Sequence, residues 1–142
     1  MIFLDSNVLV YSVDERDERK FSIATAILDN ALNERNEYAI AVQTLAEFTN
    51  VAIGKLALPS NEVIDFVKTY SDITTVRPDH DIVVRGVAIK NRYDIQFYDA
   101  MMLAAAERAG ATEFYTEDLN DGQFYCDIKA VDPFKQTPAN NA

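Results

Sequence analysis

Two aspartates of this sequence stand just beyond short apolar runs of strand length. Asp5 directly follows Ile2–Leu4, and Asp118 comes two residues after Phe114–Thr116. In an open parallel α/β sheet, ligands bind outside the carboxyl ends of the strands. Carboxylates at those ends are suited to a hard divalent cation such as Mg²⁺ or Mn²⁺, which prefers oxygen ligands.

Two further acids lie in segments with helical spacing. Glu47 falls in the first helical turn predicted after the apolar run Tyr38–Val42. Asp99 opens an alanine-rich helical segment and stands three and four residues before Met102 and Leu103, so we expect it to point along the buried stripe. An acid on an apolar stripe is rarely left without a partner. We therefore expect these two acids to join the first pair at one edge of the sheet.

Four carboxylates at one edge would need protons or cations between them, because two that are ~4 Å apart repel by roughly 4 kcal/mol at an effective dielectric of ~20. The chain has one histidine, His80, and one cysteine, Cys126, which is too few for a site of nitrogen and sulfur ligands. We expect His80 to be an exposed residue at a helix start and Cys126 to be a packing residue. A divalent cation held by oxygens activates water and stabilises charge on a phosphodiester.

Each acid also has a structural interpretation that needs no ligand. Asp5 and Asp99 can cap helices or compensate helix dipoles. The segment Thr44–Glu47 has the pattern of a capping box. Asp118 belongs to a stretch with the composition of a turn. The convergence of four acids from distant segments on one sheet edge favours a shared role.

Length and composition indicate one globular domain, since the chain has 142 residues with 49% hydrophobic and 11% aromatic residues. The formal net charge of −10 favours a cationic partner, either metal ions or a basic protein segment, and does not favour a protein that coats nucleic acid. The longest apolar run, Ala100–Ala106, is far shorter than a membrane span, and the N-terminus does not resemble a signal peptide. A single cysteine fits a reducing compartment, so we expect a cytoplasmic protein.

The fold class follows from the alternation of apolar runs with helical patterns, which predicts an α/β fold with a central, mainly parallel sheet covered on both faces. Four strands are predicted, at Ile2–Leu4, Tyr38–Val42, Phe114–Thr116 and Ile128–Val131. Five longer helices are predicted around Ile27, Phe48, Phe66, Val84 and Leu103, in addition to a short one after Asp5. Four scattered glycines permit neither G-x-G-x-x-G nor a P-loop.

The sequence resembles the PIN-domain nucleases and, in its C-terminal part, the VapC-type toxins among them. Five segments, in order and spread over the whole domain, carry the resemblance: Leu4–Tyr11, Thr44–Asn50, Phe97–Ala106, Phe114–Gln123 and Val131–Phe134. No single motif among them is decisive, but their order and spacing are specific. One departure is Asp132, which precedes Pro133 where the family more often has Asn.

The resemblance implies site residues, carried over by position in the motifs. The implied catalytic and metal-binding acids are Asp5, Glu47, Asp99 and Asp118. The residues expected to orient these carboxylates are Ser6, Asn7, Asn50 and Thr116. Two extra acids compete for the third and fourth ligand positions and rank below the first set: Asp94 and Asp121.

The resemblance also implies a three-layer α/β/α sandwich with endoribonuclease activity that depends on Mg²⁺ or Mn²⁺. The resemblance further implies that hydrolysis leaves 5′-phosphate and 3′-hydroxyl ends on the RNA. A cognate antitoxin protein is the implied partner, with a basic segment that suits the acidic surface, and a homodimer is the implied assembly. We expect the PIN-like domain to span residues 1–134 and a polar C-terminal tail to span residues 135–142.

Alternative interpretations remain at this stage. One is a PIN fold that has lost catalysis and serves as a binding module. Another is a receiver-like signalling domain, although the expected pair of adjacent acids is missing at Asp5 and the late lysine is missing near Asp118. The only mainly basic stretch contains Arg85, Lys90 and Arg92, which either line the RNA path or form a solvated helix face.

Overall fold

The computed structural model describes residues 1–135, so the predicted tail lies outside the described residues except for its first position. Residues 1–135 contain six strands, which are β1 (Ile2–Leu4), β2 (Tyr38–Ala41), β3 (Thr74–Val76), β4 (Glu113–Tyr115), β5 (Phe124–Tyr125) and β6 (Ile128–Val131). The same residues contain six α-helices, which are α1 (Ser6–Tyr11), α2 (Glu18–Asn33), α3 (Val42–Gly54), α4 (Ser60–Tyr70), α5 (His80–Tyr93) and α6 (Phe97–Ala109). A short 3₁₀ helix, Arg35–Glu37, precedes β2.

The strands form one mixed sheet in the order β3-β2-β1-β4-β6-β5. All neighbours are parallel except β5 and β6, which form an antiparallel hairpin. The chain moves outward from β1 through β2 to β3 on one side and returns to place β4 on the other side of β1. The carboxyl end of β1 is therefore a topological switch point, the place where such sheets bind ligands.

Side chains of the central strands alternate between two apolar cores, as the two-residue period of a strand requires. Phe3 and Ala39 face the core under α5 and α6, where Phe3 stacks on Phe114 with ring centroids 5.3 Å apart. Leu4 and Ile40 face the opposite core, which α1 to α4 cover. The result is the predicted sandwich of three layers.

Two strands and one hairpin turn were not predicted from the sequence. Strand β3 was not predicted because it is a three-residue edge strand, and β5 was not predicted because it has two residues. The hairpin turn before β6 uses Cys126 and Asp127, both at positive φ (52° and 64°), in place of the Asn-Gly pair that marks such turns. Among residues 1–135, no helix has the length and apolar character required to cross a membrane.

Candidate active site

The side chain of Asp5 lies at the carboxyl end of β1 and is 3% exposed. It caps α1, because its Oδ1 accepts a 2.7 Å hydrogen bond from the backbone N–H of Ser6. Its Oδ2 accepts a 2.7 Å hydrogen bond from the hydroxyl of Thr116. The pKa of Asp5 is raised to about 7, mainly by burial and also by the charges of Asp118 and Asp99, although both hydrogen bonds lower it.

Three aspartates converge at this position. One carboxylate oxygen each of Asp5, Asp99 and Asp118 lies within 4.8 Å of the other two. Burial raises the pKa of Asp99 to about 6, and the charges of Asp118 and Glu47 add to the shift. The pKa of Asp118 is also raised, first by burial and then by the charge of Glu117. The cluster is thus a concentration of negative charge that favours a proton or a cation.

Asp118 is held by Thr116, two residues before it, and by Asn7 of α1, which is far away in sequence. Thr116 accepts a 3.0 Å hydrogen bond from the backbone N–H of Asp118, and Asn7 donates a 3.3 Å hydrogen bond to its Oδ2. The amide oxygen of Asn7, Oδ1, is buried and accepts no hydrogen bond from the residues that the structure describes. A buried acceptor of this kind is normally satisfied by a water or an ion.

Glu47 lies beside the three aspartates but outside their set of mutually close oxygens. Its Oε2 accepts a 2.9 Å hydrogen bond from Ser6, and its Oε1 accepts a 2.8 Å hydrogen bond from Gln43. Gln43 also donates to the backbone carbonyl of Tyr98 at 3.2 Å, which links α3 to the first turn of α6. Both oxygens of Glu47 are therefore held in fixed directions.

The predicted capping box is not the arrangement that forms. Helix α3 begins at Val42, so Glu47 lies in the second turn and Thr44 lies in the first. The Thr44 hydroxyl accepts a 3.0 Å hydrogen bond from the backbone N–H of Ala41. The strand ends one residue earlier than its apolar run, and for that reason the helix begins earlier than predicted.

Three other predicted site residues lie outside the aspartate cluster: Asp94, Asp121 and Asn50. Asp94 is the exposed C-cap of α5 with a left-handed backbone (φ 51°). Asp121 accepts a 2.9 Å hydrogen bond from the backbone N–H of Asp132 and lies 3.7 Å from the ammonium of Lys135, so it ties down the C-terminal segment. Asn50 is exposed on α3 and lines a shallow, mostly apolar groove between α3 and α4.

Three residues that sequence reasoning missed support the site. Gln43 lies one helical turn before Glu47, and that i, i+4 spacing was a signal that could have found it. Lys20 and Tyr11 both bind Glu117, at 3.1 and 2.7 Å, and so hold the loop that carries Asp118. Both residues are far from Glu117 in sequence, so only the fold shows the contact.

The donor set fits a hard divalent cation. Three carboxylates from the end of β1, the first turn of α6 and the loop after β4 converge, and the side-chain amide of Asn7, whose oxygen is buried, contacts one of them. Carboxylate and amide oxygens are the ligands that Mg²⁺ and Mn²⁺ prefer, whereas Zn²⁺ and Cu²⁺ favour nitrogen or sulfur. Asp5, Asp99 and Asp118 would hold such an ion.

The molecule is therefore a mainly parallel α/β/α sandwich whose switch point carries a cluster of aspartates that could hold a metal ion. The chain belongs to the PIN domain family, which matches residues 2–124. PIN domains are nucleases as a family. No curated protein matches the sequence significantly.

Solved structures with the same fold include toxins and toxin–antitoxin complexes. A toxin–antitoxin complex from Klebsiella pneumoniae is 22% identical, with a TM-score of 0.63 over 94% of this chain and 98% of that chain. VapC20 of Mycobacterium tuberculosis, a sarcin-ricin loop cleaving toxin, is 14% identical, with a TM-score of 0.67 over 91% and 99%. VapBC2 of Rickettsia felis, bound to a promoter DNA fragment, is 14% identical, with a TM-score of 0.64 over 92% and 97%. At these identities the likeness establishes the fold.

Proposed function

We propose that this protein is a divalent metal-dependent endoribonuclease and the toxin of a toxin–antitoxin pair. The observation that carries the proposal is the convergence of Asp5, Asp99 and Asp118 within 4.8 Å of one another at the switch point of a PIN fold. A phosphodiester gains negative charge in the transition state of its hydrolysis. Beside three carboxylates that charge must be offset by a bound cation, so a carboxylate site for a divalent cation suits a polynucleotide substrate.

The chain's own residues have separate tasks in this mechanism. When bound, Mg²⁺ or Mn²⁺ supplies an activated water and a positive charge that stabilises the phosphoryl oxygens and the leaving 3′-oxygen. Asp5, Asp99 and Asp118 would hold the ion, and Thr116 and Asn7 orient two of these aspartates. Glu47 orients the attacking water, since Ser6 and Gln43 fix the directions of its oxygens.

An antitoxin and a second copy of the chain are the proposed protein partners. The formal charge of −10 favours an antitoxin segment rich in Lys or Arg that covers the acidic cluster and competes with the substrate. The solved toxin–antitoxin complexes of the same fold support this part of the proposal. Because its proposed substrate is RNA, the toxin would act in the cytoplasm.

The direct test is cleavage of labelled single-stranded RNA by the purified chain with Mn²⁺ or Mg²⁺ and then with EDTA. We expect cleavage that EDTA abolishes and that Asp5→Asn and Asp99→Asn both abolish. Asp94→Asn is the matched control, since it makes the same change at an exposed acid outside the cluster and Asn tolerates the left-handed backbone there. Retained cleavage in either site variant would contradict the assignment.

A catalytically inactive binding module is the second candidate, and the same assay distinguishes it. Such a module would give no metal-dependent cleavage while still binding an antitoxin. Growth arrest on expression, relieved by the product of a short neighbouring reading frame, would support the toxin assignment independently of the RNA assay.

A further inference from the structure

A cavity of about 200 Å³ opens directly beside the acidic cluster, between α1 and the C-terminal half of α3. Ser6 and Asn7 line this cavity and donate hydrogen bonds to Glu47 and Asp118 of the site, and Glu117 beside Asp118 lines it as well. Arg16 and Lys55 also line it, beyond the C-terminus of α1 and at the C-terminus of α3. The cavity therefore connects the proposed cleavage site with two cations that sequence analysis did not single out.

Arg16 is held in place by a buried carboxylate. Its Nε and Nη2 donate 2.8 Å hydrogen bonds to the two oxygens of Asp14, which is 9% exposed. The Arg16 side chain itself is 64% exposed. A guanidinium has five N–H donors, of which these two are used, and three remain for a ligand. An arginine fixed by a buried partner and exposed on its other edge is preorganised for a bidentate anion such as phosphate.

Lys55 lies on the same side of the cavity. It is exposed and is the C-cap of α3. The pKa of Asp14 is lowered first by the hydrogen bonds from Arg16, and the charge of Lys55 lowers it further. From Glu47 to Lys55 the helix axis rises by about 12 Å, eight residues at about 1.5 Å each.

We propose that Arg16 and Lys55 bind the phosphodiester backbone of the RNA strand on one side of the scissile bond. The inference rests on the proposed nuclease function and adds the direction in which the strand leaves the acids. A strand with its scissile phosphate at the cluster must place neighbouring phosphates away from these carboxylates. Arg16 and Lys55 lie where the cavity leads away from the site. In contrast, Arg85 of the predicted basic stretch pairs with Glu107 at 2.8 Å on α6.

The test measures RNA binding separately from cleavage. Full-length protein carrying Asp99→Asn, which keeps the RNA intact, is titrated with fluorescent single-stranded RNA in Mg²⁺ over a range of salt. In this background Lys55→Glu is expected to raise the Kd about 10-fold and to reduce the slope of log K against log salt by about 0.7 for each phosphate that the variant no longer neutralises. Arg16→Lys is expected to weaken binding less than Arg16→Ala, because it keeps the charge and loses the planar fork.

Lys68→Glu is the matched control. Lys68 is an exposed lysine in the last turn of α4, so its replacement changes the net charge and the helix-end electrostatics as Lys55→Glu does. It lies near the amino end of β3, the opposite edge of the sheet from the acids. We expect it to bind RNA like the parent protein.

The outcomes separate this inference from the proposed function. Equal RNA affinity in the Lys55→Glu and Lys68→Glu variants would overturn the phosphate site, while cleavage by the wild type would still support the nuclease. Wild-type protein that neither binds nor cleaves RNA would overturn both. Lys55→Glu keeps the test valid if Arg16→Ala fails to fold after exposing Asp14, because Lys55 makes no side-chain hydrogen bond to another described residue.

Discussion

The hydroxyl of Thr116 donates a 2.7 Å hydrogen bond to Oδ2 of Asp5, and the two buried side chains are 111 residues apart in sequence. The same hydroxyl oxygen accepts from the backbone N–H of Asp118 at 3.0 Å and lies 3.4 Å from Nδ2 of Asn7. One threonine thus uses its donor and both of its acceptor positions to fix two of the three converging aspartates.

Thr116→Val is predicted to weaken Mn²⁺ binding about 10- to 100-fold, the usual cost of losing a residue that orients a metal ligand. The physical reason is twofold: Asp118 loses a fixed position, and the pKa of Asp5 rises further because the hydrogen bond from Thr116 lowers it in the wild type. Isothermal titration with Mn²⁺ measures the effect. Thr116→Ser keeps the hydroxyl and should bind nearly like the wild type; undiminished affinity in Thr116→Val would show that the threonine is not needed.

The metal-free protein is predicted to lose stability as the pH rises from about 4 to 7. The pKa of Asp5 is 3.8 when unperturbed and about 7 in the folded protein, so the folded state binds more protons across this window. The contribution of Asp5 to the free energy of unfolding is fully present below pH 3.8 and is lost as the pH rises through its folded pKa of about 7. For a fully buried group this shift corresponds to about 4 kcal/mol as an upper limit, from ~1.4 kcal/mol per pKa unit.

Thermal melts in EDTA across this range, for wild type and Asp5→Asn, test the effect. The variant cannot ionise at this position, so its advantage over wild type should grow with pH and be greatest above pH 7. Added Mg²⁺ should stabilise wild type increasingly at higher pH, because the ion binds the deprotonated carboxylates. Parallel pH profiles for the two proteins would rule out Asp5 as the source.

Glu47→Gln is predicted to reduce the cleavage rate by more than 10-fold and to change Mn²⁺ affinity less than Asp99→Asn does. Glu47 lies outside the three mutually close oxygens, and Ser6 and Gln43 hold its carboxylate instead. Single-turnover cleavage at saturating Mn²⁺, compared with titration of the same samples, separates rate from binding. If Glu47→Gln lost as much Mn²⁺ affinity as Asp99→Asn, the result would show that Glu47 is a metal ligand and contradict the prediction.

Phe134→Ala is predicted to destabilise the protein by about 3 kcal/mol, the usual cost of emptying a buried aromatic site. Phe134 is 3% exposed and packs edge-on against Tyr11 at a centroid distance of 4.9 Å, in a small core with Val8 and Ala24. Urea denaturation gives the difference in free energy of unfolding. Phe124→Ala, at a phenylalanine that is 61% exposed, is the matched control and should cost far less.

A small effect of Phe134→Ala would place the end of the folded domain before residue 134 and contradict the predicted boundary at 1–134. A large effect would support it, since the segment from Asp132 onward then contributes to the same unit. Asp132 takes the place of the family's more frequent Asn without loss of the turn, because its Oδ1 accepts a 2.9 Å hydrogen bond from the backbone N–H of Phe134.

Local patterns predicted most of the elements that carry the acids. Asp5 at the end of β1 and Asp99 in the first turn of α6 lie where the apolar runs and helical spacing placed them. His80 is exposed and begins helix α5, as the sequence predicted. These features depend on residues within a few positions of one another, and local sequence therefore contains the information. Strand β5 was not predicted because it has only two residues, and its turn was not predicted because Cys126 and Asp127 replace the usual Asn-Gly pair at positive φ.

The amino-acid sequence by itself determined the fold class, the family and the order in which the acids appear. The tertiary structure alone decided how close the acids come, because their separation depends on strand order and on side chains that meet across the sheet. It brought Asp118 close to Asp5 and Asp99, while Asp121 accepts a hydrogen bond from the backbone of Asp132 and Asn50 lies on an exposed helix face. It also raised the pKa values of Asp5 and Asp99, since burial is a property of the packed molecule and not of any local segment.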